Sequence, residues 1–139
     1  MGKKPVGRKN VGTRESTMSR VIHFELPASD PERASKFYQK VFGWKFDKWA
    51  GPMEYWMVTT GTDGTPGING GMLRKPGPVS VTTNTIGVES VDAAIKATTT
   101  AGGKLVMPKS PIPGVGYFAY CEDTEGNLFG VMQADTNAK

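Results

Sequence analysis

The chain has 139 residues with one histidine, one cysteine, 18 glycines and 10 prolines, and 17 Lys+Arg against 13 Asp+Glu. One cysteine excludes an internal disulfide and a four-thiolate zinc site, and one histidine excludes a multi-histidine metal centre within the chain. The length suits one domain of ~100–200 residues, and no apolar run approaches the ~20 residues that span a bilayer as a helix.

The formal net charge of +4 is unevenly distributed. Lys3, Lys4, Arg8, Lys9, Arg14 and Arg20 face Glu15 alone in the first 20 residues, while the rest of the chain holds 11 basic and 12 acidic residues. The leader is rich in Gly, Lys and Arg, has no hydrophobic period, and cannot bury enough surface to order itself. The expected division is therefore a disordered basic leader over 1–19, one domain over 20–135, and a tail over 136–139. Met18-Ser19-Arg20 reads like a translation start, which makes the leader an upstream extension, a vector remnant or a polyanion-binding arm. The near-neutral remainder argues against nucleic acid as a partner. No apolar signal stands at the N-terminus, so the expected location is cytoplasmic, with no membrane contact.

Val21 to Leu26 alternates as a half-buried strand, with Ile22, Phe24 and Leu26 on one face and His23 and Glu25 on the other. A helix follows, opened either by a Ser29/Glu32 capping box or by Asp30 with Pro31 at the first helical position. Its Ala34, Phe37, Tyr38 and Val41 have the spacing of a face packed on a sheet, and Gly43 supplies a left-handed stop. Strand-like runs at 44–49, 55–60 and 68–73 complete a β-α-β-β-β unit. The same order returns from Asn84: a strand, a helix opened by Ser90 and Asp92 with Val91, Ala94, Ile95 and Ala101 inward, and strands at 104–107, 116–121 and 127–133. His23 and Thr85 stand 62 residues apart, as do Asp30 and Asp92. This is an internal repeat, with modules over 20–75 and 83–135. Two such modules predict an α+β fold with curved mixed sheets enclosing a cleft.

Several residues suggest chemistry. His23 reads as a metal ligand, a general acid or base, or a hydrogen-bonded strand histidine. Glu25, on the same face, would hold the imidazole tautomer and favour its charged form. Glu89 occupies a comparable place in the second module, which allows a His23, Glu25 and Glu89 site. Trp49, Tyr55, Trp56, Tyr117, Phe118 and Tyr120 lie on strands, where about half face the cleft and suit a planar or apolar small molecule. Cys121 reads as a packed thiol. Pro108 to Gly116 reads as a stiff loop, either a lid or a plain connection. Neither Gly70-Gly71 nor Gly102-Gly103 forms a phosphate cradle, because no lysine-serine/threonine pair follows.

His23-Phe24-Glu25-Leu26, the Asp30 to Ala34 helix start with Phe37-Tyr38 and Val41-Phe42-Gly43, and the turn Asp123 to Asn127 together resemble the vicinal oxygen chelate superfamily. That group includes glyoxalase I, bleomycin-resistance proteins, extradiol dioxygenases and methylmalonyl-CoA epimerase. The resemblance covers residues 20 to 134. Pro111 to Gly116 with Phe118-Ala119-Tyr120 resembles a subgroup of predicted enzymes related to lactoylglutathione lyase. It implies the glyoxalase/bleomycin-resistance/dihydroxybiphenyl-dioxygenase fold, a homodimer and a small-molecule ligand. It also implies a divalent metal on four ligands, which fall here on His23, a second near Asn69 or Gly71, Thr85 and Gly130. Only His23 keeps a ligand side chain, since neither Thr85 nor Gly130 replaces imidazole or carboxylate. Two functions follow from the resemblance. One is a lyase or isomerase using His23 and Glu25, with Tyr55, Trp56, Asn69, Thr85, Tyr117 and Tyr120 around the ligand. The other is a metal-free protein that sequesters a small molecule.

Overall fold

The computed structural model describes residues 19–139. The expected leader lies almost wholly outside the described residues. The first module consists of β1 (Arg20–Ala28), α1 (Pro31–Phe42), β2 (Lys45–Lys48), β3 (Trp56–Thr59) and β4 (Gly70–Arg74). The second consists of β5 (Thr83–Gly87), α2 (Val91–Thr100), β6 (Lys104–Ile112), β7 (Gly116–Glu122) and β8 (Leu128–Ala134). Among the described residues the strands form one sheet of eight in the order β2-β3-β4-β1-β5-β8-β7-β6. Within each module the first strand runs parallel to the last, and the modules join where β1 pairs antiparallel with β5. The two modules thus pair within one chain.

Residues paired across a sheet share a face. His23 pairs with Thr85, Thr85 with Gly130, and Gly130 with Tyr120. Glu25 pairs with Thr83 on one side and Gly71 on the other. These rows turn away from the helices. On the helix side, Ala28, Val58 and Met72 form a core with Phe24, Leu26, Ala34 and Trp56 packed against it. Val91, Ala119 and Val131 form its counterpart in the second module, beneath Ala94 and Ile95 of α2.

Local chemistry accounts for the helix ends. Asp30 caps α1 by accepting from Arg33 N at 3.1 Å, Pro31 takes the first turn, and Gly43 closes the helix at φ 75°. The capping-box alternative through Ser29 is not the one adopted. Ser90 caps α2 through Ala93 N at 3.1 Å. The Asp123 to Asn127 turn joins β7 to β8, with Asp123 Oδ1 accepting from Glu125 N at 2.8 Å and Asn127 N at 2.9 Å. These bonds, those from Asn127 foremost, hold the Asp123 carboxyl below its ordinary pKa.

Four expectations require correction. Of the inward face expected for α1, Ala34 and Tyr38 meet the sheet, but Phe37 and Val41 are 55% and 53% exposed, because the short β2 to β4 side leaves the outer half of the helix uncovered. Ala101 caps α2 from an exposed position. Ile22 does not share the buried face of Phe24. The register shifts between Val21 and His23, a bulge that turns Ile22 outward to the mouth of a cavity. The segment from Pro108 is not a loop, since β6 continues through Pro108 and Pro111 to Ile112 and turns over residues 113–115. Proline is tolerated there because, among the described strands, β6 is at the edge and bonded only to β7.

Candidate functional site

The face opposite the helices encloses a cavity of about 340 Å³ that draws on both modules. Its walls are mostly apolar. Leu73, Met57 and Met53 come from the first module, and Ile112, Val115 and Met132 from the second. Ile22, Met53, Met57 and Val115 are all substantially exposed and ring the mouth. The volume lies at the small end of ligand pockets, which run from roughly 300 to 1,000 Å³.

A polar network is set into this apolar surface. Glu25 is only 7% exposed. Tyr55 donates its hydroxyl proton to Glu25 Oε2 at 2.8 Å, and Tyr120 donates to Glu25 Oε1 at 2.5 Å. The His23 ring nitrogen Nε2 lies 2.7 Å from the Tyr55 hydroxyl. Since the one phenolic proton of Tyr55 goes to Glu25, His23 Nε2 carries the proton in that contact, leaving Nδ1 as the basic nitrogen of the neutral ring. Burial holds the imidazole below its ordinary pKa, with Glu25 pulling more weakly in the other direction. Both phenols are pushed far up, first by burial and then by the charge of Glu25, so they remain donors.

Two glycines make the network possible. A Cβ on Gly71 would collide with the hydroxyl end of Tyr55. A Cβ on Gly130 would lie 3.1 Å from Thr85 Oγ1 and 3.5 Å from the Tyr120 ring. Tyr55 reaches Glu25 over the bare backbone of β4, and Tyr120 reaches it over that of β8.

The site residues expected from the sequence divide cleanly. His23, Glu25, Tyr55, Thr85 and Tyr120 line the cavity. Trp56, Asn69 and Tyr117 do not. Strand alternation carries Trp56 to the helix side, where Lys48 and Arg74 lie 5.5 Å and 5.9 Å from its ring. Tyr117 likewise packs toward α2 beneath Lys109. Asn69 Oδ1 accepts from Thr60 N at 2.9 Å and closes the turn between β3 and β4. Glu89 is exposed beyond the end of β5, outside the cavity lining, so the His23, Glu25 and Glu89 arrangement is not formed. Cys121 is fully buried, and burial raises its thiol pKa. The lining also includes Met53, Met57, Leu73 and Ile112, which no local motif marks. Period-two alternation from Tyr55 and Tyr120 would have found Met57 and Phe118.

Comparison with known proteins agrees with this architecture. A family model for the bleomycin resistance protein-like N-terminal region matches residues 20–61. A glyoxylase-like domain-containing protein of Didymella fabae is 37% identical over 114 residues, covering 77% of this chain and 88% of that protein. The chain belongs to the glyoxylase-like family of the vicinal oxygen chelate superfamily. A putative glyoxylase of Mycobacterium bovis, CFP32, is 30% identical over 80% of this chain but only 44% of its own length. This glyoxylase-like chain thus spans less than half of that relative. Methylmalonyl-CoA epimerase from Mycobacterium tuberculosis shares the fold with a TM-score of 0.61 at 11% identity, covering 83% of this chain and 87% of that one. The 2,3-dioxygenase LapB from Pseudomonas sp. KL28 does so with a TM-score of 0.59 at 13% identity, over 86% of this chain and 43% of that one.

The four-ligand metal chelate implied by the superfamily resemblance does not fit these residues. Its second position falls near Asn69, which closes the turn between β3 and β4, or Gly71, where the Tyr55 phenol fills the space a side chain would take, and its third and fourth fall on Thr85 and Gly130. Among the described residues no group of three His, Cys, Asp or Glu side chains converges. His23 and Glu25 are bridged by a phenol instead.

Proposed function

We propose that this glyoxylase-like protein binds a small, largely apolar molecule in its cavity without a chelated metal, in the manner of a sequestering protein. The observation that carries this reading is the closed His23–Tyr55–Glu25–Tyr120 network inside an apolar cavity. It holds the few polar groups of the site in one fixed arrangement and leaves the apolar walls to take up the body of the ligand. A screen of small apolar and aromatic compounds by thermal shift tests it, because a ligand that binds only the native state raises the melting temperature by mass action. Hits must lose affinity when Leu73→Trp fills the cavity. Full affinity in that variant refutes the reading.

The same network supports a second reading, a lyase or isomerase related to lactoylglutathione lyase. A neutral His23 with basic Nδ1, backed through Tyr55 by Glu25, is a proton-relay arrangement. His23→Ala should then abolish turnover of any substrate found while leaving the fold intact, and unchanged turnover rejects it. A homodimer belongs to the same proposal. It is supported by the exposed rings of Phe37 and Phe42 on α1 and by the open edge strands β2 and β6. Light scattering at the monomer mass would reject it.

A further inference from the structure

The charge balance of the cavity is lopsided. Among the described residues that line it Glu25 is the only acid, and no Lys or Arg is present. Glu25 is 93% buried by the complement of its 7% exposure, and among the described residues no cation pairs with it. Its two hydrogen bonds come from phenols, which donate protons but carry no positive charge. A carboxylate in such surroundings is costly without an opposite charge nearby.

The aromatic walls supply what a cation needs. Trp49 and Tyr55 meet edge to face, with centroids 6.3 Å apart at 79°. Phe118 and Tyr120 repeat the arrangement on the other module at 5.8 Å and 78°. Each perpendicular pair contributes the tyrosine that holds one oxygen of Glu25, so two aromatic corners converge on one buried acid. Ring faces carry negative potential and attract a cation within about 6 Å. The methionine and aliphatic rim would cover the rest of an apolar body.

We propose that the cavity is a receptor for lipophilic monocations: an apolar or aromatic body bearing one ammonium centre, seated between the Trp49/Tyr55 and Phe118/Tyr120 corners with its positive charge facing Glu25. This rests on the small-molecule reading of the cavity and names the ligand class.

The test uses the full-length chain and three probes of matched shape: benzyltrimethylammonium, its neutral isostere neopentylbenzene, and the anion phenylmethanesulfonate. Affinities are read by titration of tryptophan fluorescence and by ligand-observed NMR. The expected result is binding of the cation about tenfold tighter than the neutral isostere, within the range of desolvated cation–π and carboxylate attraction, and no detectable binding of the anion. Glu25→Gln should cost the cation more affinity than the neutral probe and bring the two within about twofold of each other. If that variant fails to fold, Trp49→Leu serves instead, with a loss of cation affinity exceeding the loss for the neutral probe. Equal or tighter binding of the neutral isostere overturns the cation assignment and leaves the apolar cavity standing. Binding of none of the three overturns both.

Discussion

Replacing Tyr55 with Phe removes one oxygen and breaks two hydrogen bonds, the 2.8 Å bond donated to Glu25 and the 2.7 Å contact with His23 Nε2. A hydrogen bond to a charged group contributes about 1.5–3 kcal/mol and a neutral one about 0.5–1.5 kcal/mol. Tyr55 is only half-buried at the cavity wall, so water partly replaces the lost oxygen and the lower end of the summed range applies, about 2 kcal/mol. For a domain of this size that corresponds to a fall in melting temperature of roughly 6–10 °C. Urea unfolding followed by near-UV circular dichroism measures it. A double-mutant cycle with Glu25→Gln should show a coupling of about 1 kcal/mol or more, because both changes act on the same Tyr55–Glu25 contact. A Tyr55→Phe protein within about 0.5 kcal/mol of the parent, additive with Glu25→Gln, would show that the network contributes nothing and would refute the reasoning.

Further outcomes follow from the same geometry. Gly71→Ala should destabilise by about 1–3 kcal/mol and release the Tyr55 contacts, whereas Gly130→Ala should cost less, since its Cβ meets neighbours at 3.1 Å and beyond. The reverse order, read by chemical unfolding, would contradict the packing. Because burial lowers the pKa of His23 in the folded state, the unfolded chain binds its proton first as pH falls below 6.5. Stability should therefore rise with pH up to that value, and His23→Gln should flatten this slope; an unaltered slope would place the titration elsewhere. Metal analysis after incubation with Ni, Zn, Mn or Fe salts should find below about a tenth of an equivalent, with no rise in melting temperature, given so few deprotonated donors. A stoichiometric, stabilising metal would overturn the account of Gly71, Thr85 and Gly130. Removing residues 1–17 should leave melting temperature and ligand affinity unchanged, while any heparin retention should fall steeply with the lost charges.

The repeat of two β-α-β-β-β modules was legible in the sequence because strand alternation, caps and left-handed glycines act over a few residues. Asp30, Pro31, Gly43 and Ser90 need only their neighbours to set their helices. His23 and Glu25 could be placed on one strand face for the same reason. Their partners could not be read that way. Tyr55 and Tyr120 reach Glu25 from 30 and 95 residues away, and only the sheet order β3-β4-β1-β5-β8-β7 brings them together. Trp56 and Tyr117 are aromatic like their chain neighbours Tyr55 and Phe118 but turn to the helices, a matter of strand phase that a slip of one residue reverses. Length, charge distribution and the lone histidine were properties of the chain alone. Which acid sits beside that histidine, under which phenols, and over which bare glycines depended on register between distant strands, where packing rather than local propensity decides.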